Sequence, residues 1–430
     1  MQKTQTSSKP LRLDHKAIDP AALAIVDSLQ SRGFTAYLVG GCVRDLLLGK
    51  RPKDFDIATT ALPQQIRRAV PNAFIIGKRF RLVLVKRGNV QYEVATFRRD
   101  ARPNENLEEL PPGDNIFGTP QEDAKRRDFT INALFYDPQS EDLIDYAGGL
   151  KDLDAGIVRM IGDPNVRLIE DPIRILRGIR LAHMIRFRLE SGLKSSMGKT
   201  APELKKTALP RRREEILKFL RLDDPSLAFL TAYDLGVLAS VSPTLDKFLS
   251  HGTYAETFVQ HLSSFHDHEL STPVELFGGM MLAFLLTETG GELVGHSGDE
   301  FRARDILEHK TLHPMMQTEL GMFKNEQTVF AKAVQLMALL KKRREFERRG
   351  ERRQKAVVFS EAFPLALKLA EHIHWLSPSD LHFWREIGAK SGRSRPKRPR
   401  RRRRRHPPTA PGPAAPAPEG AEHKSSKSTA

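Results

Sequence analysis

The sequence is poor in cysteine and in long apolar segments, and both shortages narrow the class of protein. Its single cysteine, Cys42, excludes an intrachain disulfide and fits a reducing compartment. The longest apolar run covers residues 280–286, far short of the roughly 20 residues that a membrane-spanning helix requires. The segment 1–16 is polar and has no signal-peptide pattern. We therefore expect a soluble, cytoplasmic protein with no membrane partner.

Acidic residues are outnumbered, with 53 Asp and Glu against 69 Lys and Arg, and the formal net charge is +16. Much of this excess lies in residues 390–405, where eleven residues are Lys or Arg and none is acidic. A charge balance of this kind favours a polyanionic partner. A run of arginines that releases counterions from a phosphate backbone indicates salt-sensitive, sequence-independent RNA binding. The alternative interpretation is a charged tail that only aids solubility.

Hydrophobic periodicity divides the chain into regions of different character. After an N-terminal arm (1–19), strand and turn signals predict an α+β head domain over residues 20–160. Asp19 and Pro20 are typical of a helix start, and Gly33 of its end. A periodic apolar stripe follows the start, at Ala22, Ile25, Val26 and Leu29. Beyond residue 163 helical periodicity dominates, which predicts an all-α neck (161–240) and body (241–389). Residues 390–430, rich in Arg and then in Pro, Ala, Gly and Ser, are expected to be a disordered tail.

A glycine pair follows the first predicted strand of the head. Gly40 and Gly41 leave the apolar strand 37–39 and open a short helix that ends at Gly49. Such a turn allows backbone N–H groups and a helix N-terminus to approach a phosphate. Arg44, one turn into the helix, would add a charge-assisted contact. This pattern predicts a binding site for a triphosphate.

Two carboxylates follow this turn at a spacing of two. Asp54 and Asp56 fall in a predicted strand (54–58), where residues i and i+2 point to the same face. Paired carboxylates can bridge a hard cation such as Mg²⁺, which prefers oxygen ligands. A lone D-x-D pair is more often a solvated strand end, but its position after a glycine turn is more specific. The two features together predict a metal-dependent nucleotidyl transferase.

This joint pattern resembles the head-domain signature of the family of class II tRNA nucleotidyltransferases and bacterial poly(A) polymerases. The resemblance implies a nucleotidyltransferase (polymerase-beta-like) head in which Asp54 and Asp56 are catalytic metal ligands. It also implies a third ligand at Glu93 and a nucleotide contact at Arg98, both in the segment VQYEVATFRR. From the residues alone, Glu93 is better interpreted as an acidic residue on an exposed strand. Two Mg²⁺ (or Mn²⁺) ions would activate a 3′-hydroxyl and stabilise leaving pyrophosphate.

A second block, EDAKRRDFTINALFYD, covers residues 122–137. Arg126 and Arg127 suit a triphosphate or a primer backbone, because guanidinium groups match phosphate oxygens. From spacing alone, Asp128 could equally cap a charged helix end. The near match to the family motif R-R-D-F-T-x-N-A implies that Asp128 and Asn132 belong to the active site, with Asp128 counted as catalytic and Arg127 as nucleotide-binding.

A third block, EDPIRILRGIR, opens the helical region. It predicts one amphipathic helix in which Glu170, Arg174 and Arg177 share a face, and by itself this is an ordinary helix with a Glu–Arg pair. The family reads the incoming base with an E-D-x-x-R motif, here Glu170, Asp171 and Arg174. The resemblance implies that Asp171 accepts from the adenine amino group while Arg174 donates to a ring nitrogen, with Arg177 also contacting the nucleotide.

The segment IIGKRFRLVLV (75–85) resembles bacterial poly(A) polymerases more closely than CCA-adding enzymes, which usually have a shorter Arg-Phe-Gly pattern. Leu84 departs from many polymerases, which carry histidine there. A basic strand edge at Lys78, Arg79 and Arg81 is predicted to contact RNA. The same contact is predicted for basic residues of the tail, namely Lys397, Arg398, Arg400, Arg401, Arg402, Arg403, Arg404 and Arg405.

These patterns predict a template-independent RNA polymerase that adds adenylates from ATP to RNA 3′ ends. The expected partners are messenger and other RNA 3′ ends, ATP and the RNA-degradation machinery, with a role in mRNA turnover. The closest alternative is a tRNA nucleotidyltransferase that adds CCA. An alternative from another class is a catalytically silent RNA-binding adaptor, although the intact carboxylates argue against it.

Overall fold

The computed structural model describes residues 13–77, 82–101, 105, 116–263, 270–293 and 300–392. The predictions for Lys78, Arg79 and Arg81 concern residues outside these ranges. So do the predicted disorder and RNA contacts of the tail from residue 393 onward. Those predictions stay predictions.

One seven-stranded sheet forms the centre of the head. Its strands are β1 (Ala36–Val39), β2 (Asp56–Thr59), β3 (Ala73–Ile76), β4 (Leu82–Arg87), β5 (Val90–Thr96), β6 (Leu134–Asp137) and β7 (Asp142–Asp145). Their order is β3-β4-β5-β2-β1-β6-β7. Only β2 and β5 pair in parallel, and the other neighbours are antiparallel. Strands β4 and β5 form a hairpin around Gly88 and Asn89, a turn of the kind that the strand and turn signals of the head predict.

The register of the parallel pair determines which side chains share a face. Asp56 lies opposite Glu93, and Ile57 lies opposite Val94. Ile57 and Val94 are buried in the main hydrophobic core, together with Ile25 of the first helix. Because side chains alternate along a strand, Asp56 and Glu93 point to the other face of the sheet.

In its described part, the head contains the α-helices α1 (Pro20–Gln30), α2 (Gly41–Leu47), α3 (Pro63–Ala69), α4 (Pro120–Arg126) and α5 (Gly149–Ala155). Helix α1 confirms its predicted start, because Asp19 Oδ1 accepts from the Ala21 N–H at 2.7 Å and Pro20 occupies the first turn. The predicted apolar stripe is its buried face: Ala22, Ile25, Val26 and Leu29.

The chain after the head is helical, as predicted. The neck contains α6 (Pro164–Glu170), α7 (Ile173–Ile185), α8 (Ser191–Thr200), α9 (Leu209–Phe219), α10 (Pro225–Asp234) and α11 (Leu238–Val241). The body contains α12 (Pro243–Leu249), α13 (Gly252–Ser263), α14 (Pro273–Glu288), α15 (Ala303–Leu307), α16 (Leu312–Pro314), α17 (Lys324–Leu340), α18 (Arg343–Glu347), α19 (Glu351–Val358), α20 (Phe363–His372) and α21 (Pro378–Gly392). Helix α21 thus runs three residues past the predicted end of the body at residue 389.

The single helix predicted for EDPIRILRGIR is wrong. Helix α6 ends at Glu170, Asp171 leaves the helical region with φ −144° and ψ 89°, and α7 starts at Ile173. Pro172 is the physical reason, since a proline lacks an N–H donor and disfavours helical backbone in the residue before it. Glu170 therefore belongs to a different helix from Arg174 and Arg177.

The neck is fixed to the head by a small sheet and by close packing. Strand β8 (Ile157–Val158) pairs in parallel with β9 (Arg188–Leu189), a strand that the predicted all-α neck did not include. Gly178 of α7 lies so close to the head that an added Cβ would be 3.0 Å from Cζ of Phe129. These contacts hold α7 against the head.

Helix α14 forms the centre of the body and is buried over most of its length, from Leu276 to Thr287. It contains the apolar run of residues 280–286 that stood out in the sequence. Across the part of the chain that the structure describes, every helix is too short or too polar to cross a membrane.

Candidate active site

A cleft of about 990 Å³ opens between the head and the neck. Most of the residues predicted for the site line it: Gly40, Gly41, Arg44, Asp54, Asp56, Arg127, Asp128, Asn132, Asp171, Arg174 and Arg177. Glu93, Arg98 and Glu170 are not part of its lining. The three blocks singled out in the sequence, spread over 140 residues, thus converge on one cleft.

The glycine turn has a conformation that only glycine adopts readily. Gly40 has φ 79° and ψ −127°, and its N–H donates to the Leu134 carbonyl at 3.0 Å. A Cβ at this position would also lie 3.1 Å from Nη1 of Arg127. The turn therefore allows a guanidinium to approach the backbone at the edge of the cleft.

The acidic group of the head lies around the start of β2. The strand begins at Asp56, so Asp54 precedes it instead of sharing it as predicted. Among the described residues, Asp54, Asp56 and Glu93 form no ion pair. Asp56 is open to the cleft, yet the surrounding protein desolvates it, and burial together with the charges of Glu93 and Asp54 raises its pKa to about 6. Arg127 opposes that rise.

The arrangement of these carboxylates fits an open metal site better than a closed one. Within the described ranges, no three His, Cys, Asp or Glu side chains converge in a ready-made metal-binding geometry. Mg²⁺ is usually held by one or two carboxylates together with substrate phosphates and water, so it does not require such a cage. Oxygen ligands of like charge, side by side and without a cationic partner, fit that mode of binding. The residues are compatible with a divalent cation that binds together with a nucleotide.

Arg44 is buried and oriented within the protein. Its Nε and Nη2 donate to Asp45 Oδ1 at 2.9 and 2.7 Å, and its Nη1 donates to Asn132 Oδ1 at 2.5 Å. Arg44 lines the cleft, and its observed contacts fix Asn132. The predicted contact of Arg44 with a phosphate stays a prediction.

Asp128 forms the most strongly anchored ion pair of the cleft. Its Oδ2 accepts from Nε and Nη2 of Arg177 at 2.8 and 2.6 Å, and its Oδ1 accepts from the Phe129 N–H at 2.9 Å and from Asn132 Nδ2 at 3.4 Å. Burial alone would raise the pKa of Asp128, but Arg177, Asn132 and the Phe129 N–H outweigh it and lower the pKa. Asp128 is therefore held as a carboxylate that orients Arg177.

Arg127, the second arginine of the basic pair, is held by Asp123. Arg127 donates from Nε and Nη2 to Asp123 Oδ2 at 3.1 and 3.0 Å, and its guanidinium lies 5.5 Å from the ring centre of Phe135. The backbone N–H of Arg98 donates to the other oxygen of Asp123 at 3.1 Å. Asp123 thus connects these two predicted nucleotide-binding residues, although Arg98 lies beyond the lining of the cleft.

The predicted base-reading residues have protein partners at the neck side of the cleft. Asp171 accepts a bidentate pair from Arg211, at 3.0 Å for Nη1 and 2.9 Å for Nη2. Arg174 donates from Nη1 to the Arg167 carbonyl at 2.8 Å and to Glu170 at 3.3 Å. Asp171 and Arg174 line the cleft, while Glu170 is exposed outside it.

The sequence reasoning did not identify the cleft residues of α9, among them Arg211 and Glu215. Glu215 is buried and accepts from Nε of Arg180 at 2.9 Å and from Lys218 Nζ at 2.8 Å. Burial would raise the pKa of Glu215, but Arg180 and Lys218 lower it. The run RRREE at residues 211–215 was the available signal, yet it reads as an ordinary charged helix face until α9 is placed beside α7.

Comparisons with known proteins agree with this geometry. Residues 36–159 match the family model of the poly A polymerase head domain, and residues 186–249 match the model described as the probable RNA and SrmB-binding site of polymerase A. The chain is 42% identical over 248 residues to poly(A) polymerase I of Haemophilus influenzae, a match that covers 55% of each protein. It is also 36% identical over 197 residues to a CCA-adding enzyme of Lactobacillus helveticus, covering 46% of this chain and 49% of that enzyme.

The chain spans little more than half the length of the first of these relatives. Among solved structures, it resembles the Bacillus stearothermophilus CCA-adding enzyme in complex with CTP, with a TM-score of 0.61 and 23% identity over 87% of this chain and 83% of that one. This likeness confirms the predicted fold class, a nucleotidyltransferase head followed by a helical body. Through its head domain and the adjoining segment of the neck, the chain is similar to the poly A polymerase family of nucleotidyltransferases.

Proposed function

We propose that the protein transfers adenylate from ATP to RNA 3′ ends without a template and releases pyrophosphate. The observation that carries this proposal is the register of β2 and β5, in which Glu93 lies opposite Asp56. Asp56 itself lines the cleft together with Asp54. The sequence match to the head domain of poly A polymerases supports the proposal. The relatives named poly(A) polymerase I favour adenylate as the repeated unit.

In this proposal the chain acts by positioning and by charge, since phosphoryl transfer requires little covalent chemistry from the protein. The turn at Gly40 and Gly41 and the guanidinium of Arg127 receive the triphosphate. Asn132, fixed by Arg44, and Arg177, fixed by Asp128, orient the nucleotide from the opposite side.

Asp54, Asp56 and Glu93 would hold Mg²⁺ or Mn²⁺ at the end of the cleft where the triphosphate binds. When bound, such an ion would activate the 3′-hydroxyl and stabilise the charge of the departing pyrophosphate. The two side chains in the parallel register would supply ligands from the sheet, and Asp54 would supply one from the preceding loop.

Base selection is assigned to Asp171 and Arg174, one able to accept from the adenine amino group and the other able to donate to a ring nitrogen. Arg211 occupies both oxygens of Asp171 in the structure. The nucleotide would therefore take over at least one of these hydrogen bonds, and Arg211 would become available to the triphosphate or to RNA.

CCA addition to tRNA is the second candidate, because a CCA-adding enzyme matches the same region at 36% identity. Purified protein should be incubated with ATP alone, with CTP alone and with both nucleotides, each time on two substrates: a generic RNA and a tRNA that lacks its CCA end. We expect long A tails on the generic RNA. Incorporation of two C residues and one A on the tRNA, with none on the generic RNA, would contradict the proposal in favour of the second candidate.

The RNA body would be held by the helical neck and by the basic tail beyond residue 392. The match of residues 186–249 to a probable RNA-binding segment supports the neck contact. We further propose that the tailed RNAs are passed to RNA-degrading enzymes in the cytoplasm, so that mRNA turnover is the biological outcome.

A further inference from the structure

A second cavity, of about 650 Å³, lies on the far side of α9 from the cleft. Pro210 lines both cavities, Arg211 and Glu214 line the cleft, and Leu209 and Arg213 line the second cavity. Helix α9 therefore separates the two cavities. An RNA strand that leaves the cleft past Pro210 would enter the second one. Nothing in the proposed chemistry uses this space.

The rim of this cavity carries Phe323, which is 63% exposed. Its backbone is nevertheless fixed, because its N–H donates to Glu326 at 2.7 Å and the preceding Met322 carbonyl accepts from Gln327 at 2.8 Å. Gly321, with φ 66°, allows the loop to lie against α9, since a Cβ there would be 3.0 Å from Cγ of Leu209. A large aromatic ring is thus presented to solvent by a rigid support.

One face of the Phe323 ring is already covered by a cation. Arg213 is buried, its guanidinium lies 4.4 Å from the ring centre, and its Nη2 is 2.6 Å from Glu326. The ion pair with Glu326 holds the guanidinium under the ring. The exposed remainder of the ring is left as a flat surface for another planar group.

The chemistry of the lining favours a nucleobase. Apolar side chains line much of the cavity, and none of its described lining residues is acidic, while Arg213, His313 and Lys324 are basic. Two buried nitrogens of this lining, Nε of Arg213 and Nδ1 of His313, have no hydrogen-bond partner within the described ranges. An aromatic platform beside basic side chains is the arrangement that binds single-stranded nucleic acid without sequence preference.

We propose that this cavity binds a base of the RNA substrate, some nucleotides upstream of the 3′ end, by stacking on Phe323. The proposal deepens the proposed function and rests on it, since RNA must occupy the adjacent cleft. A stacked base would keep the growing strand attached between additions while tolerating any sequence. Single exposed aromatic residues are common on protein surfaces and are usually unimportant. Phe323 differs in its rigid support, its cavity and its position beside the cleft.

The test uses the full chain and RNA oligonucleotides that carry 5-iodouridine at successive distances from the 3′ end. Irradiation should cross-link Phe323 from a narrow window of positions, identified by mass spectrometry. Phe323→Ala should abolish this cross-link and raise the KM for RNA by a factor between about five and a hundred, with the KM for ATP unchanged. Phe323→Trp, which keeps an aromatic ring, should have the same KM for RNA as the wild-type protein. Phe74→Ala, which removes another exposed phenylalanine on β3, is the matched control and should leave both values unchanged.

Nucleotide addition without a cross-link in residues 321–328, and with an unchanged RNA KM in Phe323→Ala, would overturn the cavity proposal alone. An equal rise of the RNA KM in Phe323→Ala and Phe323→Trp would also overturn it. Tryptophan keeps an aromatic ring for stacking, so an equal rise would indicate that Phe323 has a structural role instead. If the wild-type protein neither binds RNA nor adds nucleotides, the proposed function fails, and the cavity proposal fails with it.

Discussion

The carboxylates on the two sides of the cleft differ in whether they have a cationic partner. On the head wall, Asp54 and Asp56 line the cleft and Glu93 lies beside Asp56 in the sheet, and none of the three forms an ion pair among the described residues. On the side that faces the neck, the head residue Asp128 pairs with Arg177 of α7, and the neck residues Asp171 and Glu215 pair with Arg211 and Arg180. The burial of Asp56 and its acidic neighbours raise its pKa, whereas arginine partners hold the pKa values of Asp128 and Glu215 below their ordinary range.

This contrast shows how one cleft can serve two purposes. Carboxylates paired with arginine have geometry fixed by charge-assisted hydrogen bonds, which suits the orientation of a nucleotide. Clustered carboxylates without a cation are electrostatically costly and become favourable when a cation arrives. The head wall is therefore the place where metal binding and catalysis are expected, and the neck wall is where substrate is aligned.

The largest effect is expected from the head wall. Asp54→Ala combined with Asp56→Ala should lower adenylate incorporation by a factor of at least about 10³, because charge stabilisation at the transferred phosphoryl group is lost. Incorporation of labelled ATP into RNA measures this, and RNA binding in a filter assay should be retained. Wild-type incorporation by the double variant would remove the proposed mechanism. Asp14→Ala, which changes an exposed acid away from the cleft, is the control.

The next largest effect concerns the free energy of unfolding, which should distinguish the paired carboxylates from the unpaired ones. Asp128→Asn leaves Arg177 without its counter-charge and should lower the free energy of unfolding by about 1–3 kcal/mol at pH 7. Asp56→Asn relieves repulsion and should leave the stability unchanged or raise it, when measured in a metal chelator. Urea unfolding of both variants measures the difference. Asp223→Asn, which breaks an exposed pair with Arg186, should stay within about 0.5 kcal/mol of wild type. Equal destabilisation by Asp128→Asn and Asp56→Asn would contradict the contrast.

The Asp128–Arg177 ion pair also predicts that the stability of the fold depends on pH. The folded-state pKa of Asp128 lies below the unfolded value of about 4, so the carboxylate stabilises the fold above that value. The stabilisation is lost as the pH falls through the folded-state pKa. Asp128→Asn should therefore differ most from wild type near neutral pH and converge with it in acid. Unfolding curves from pH 7 down to pH 3 measure this, and a constant difference over that range would contradict the assignment.

A smaller effect is expected on base selection. Asp171→Ala removes the proposed acceptor for the adenine amino group and should reduce the ratio of kcat/KM for ATP over CTP by about tenfold, the scale of one lost hydrogen bond to a charged group. Arg211→Ala removes only the present partner of Asp171 and should keep the preference for ATP. Loss of the preference in Arg211→Ala alone would assign base reading to Arg211 instead.

The smallest effect concerns the charged tail, which lies outside the two walls. Truncation after Gly392 should weaken RNA binding and flatten its dependence on salt concentration, because fewer counterions are released from the RNA. Adenylate addition to a saturating RNA should continue. Binding titrations at several salt concentrations provide the slope, and an unchanged slope would refute the tail contact.

Much of the head could be predicted because its signals are local. Asp19, Pro20 and a periodic stripe specify α1, and the turn at Gly88 and Asn89 specifies the β4–β5 hairpin. Glu93 was predicted as a third ligand only from the family motif. The register that sets it beside Asp56 comes from the parallel pairing of β2 and β5, which no local sequence pattern displays.

The neck was predicted less well for two different reasons. The break between α6 and α7 had a signal in Pro172, but the helical spacing of Glu170, Arg174 and Arg177 outweighed it. The pairing of Asp171 with Arg211 had no signal, because the partners are 40 residues apart and meet only when α9 packs beside α7. Whether a carboxylate is paired or unpaired is decided by such tertiary contacts.

The most direct test of the proposed metal site is Mn²⁺ binding followed by electron paramagnetic resonance in the presence of a non-hydrolysable ATP analogue. We predict that wild-type protein removes Mn²⁺ from the free pool and that Asp54→Asn combined with Asp56→Asn loses this binding, whereas Asp171→Asn on the neck wall retains it. Equal Mn²⁺ binding by the wild-type protein and the Asp54, Asp56 double variant would contradict the assignment of the cation to the head wall.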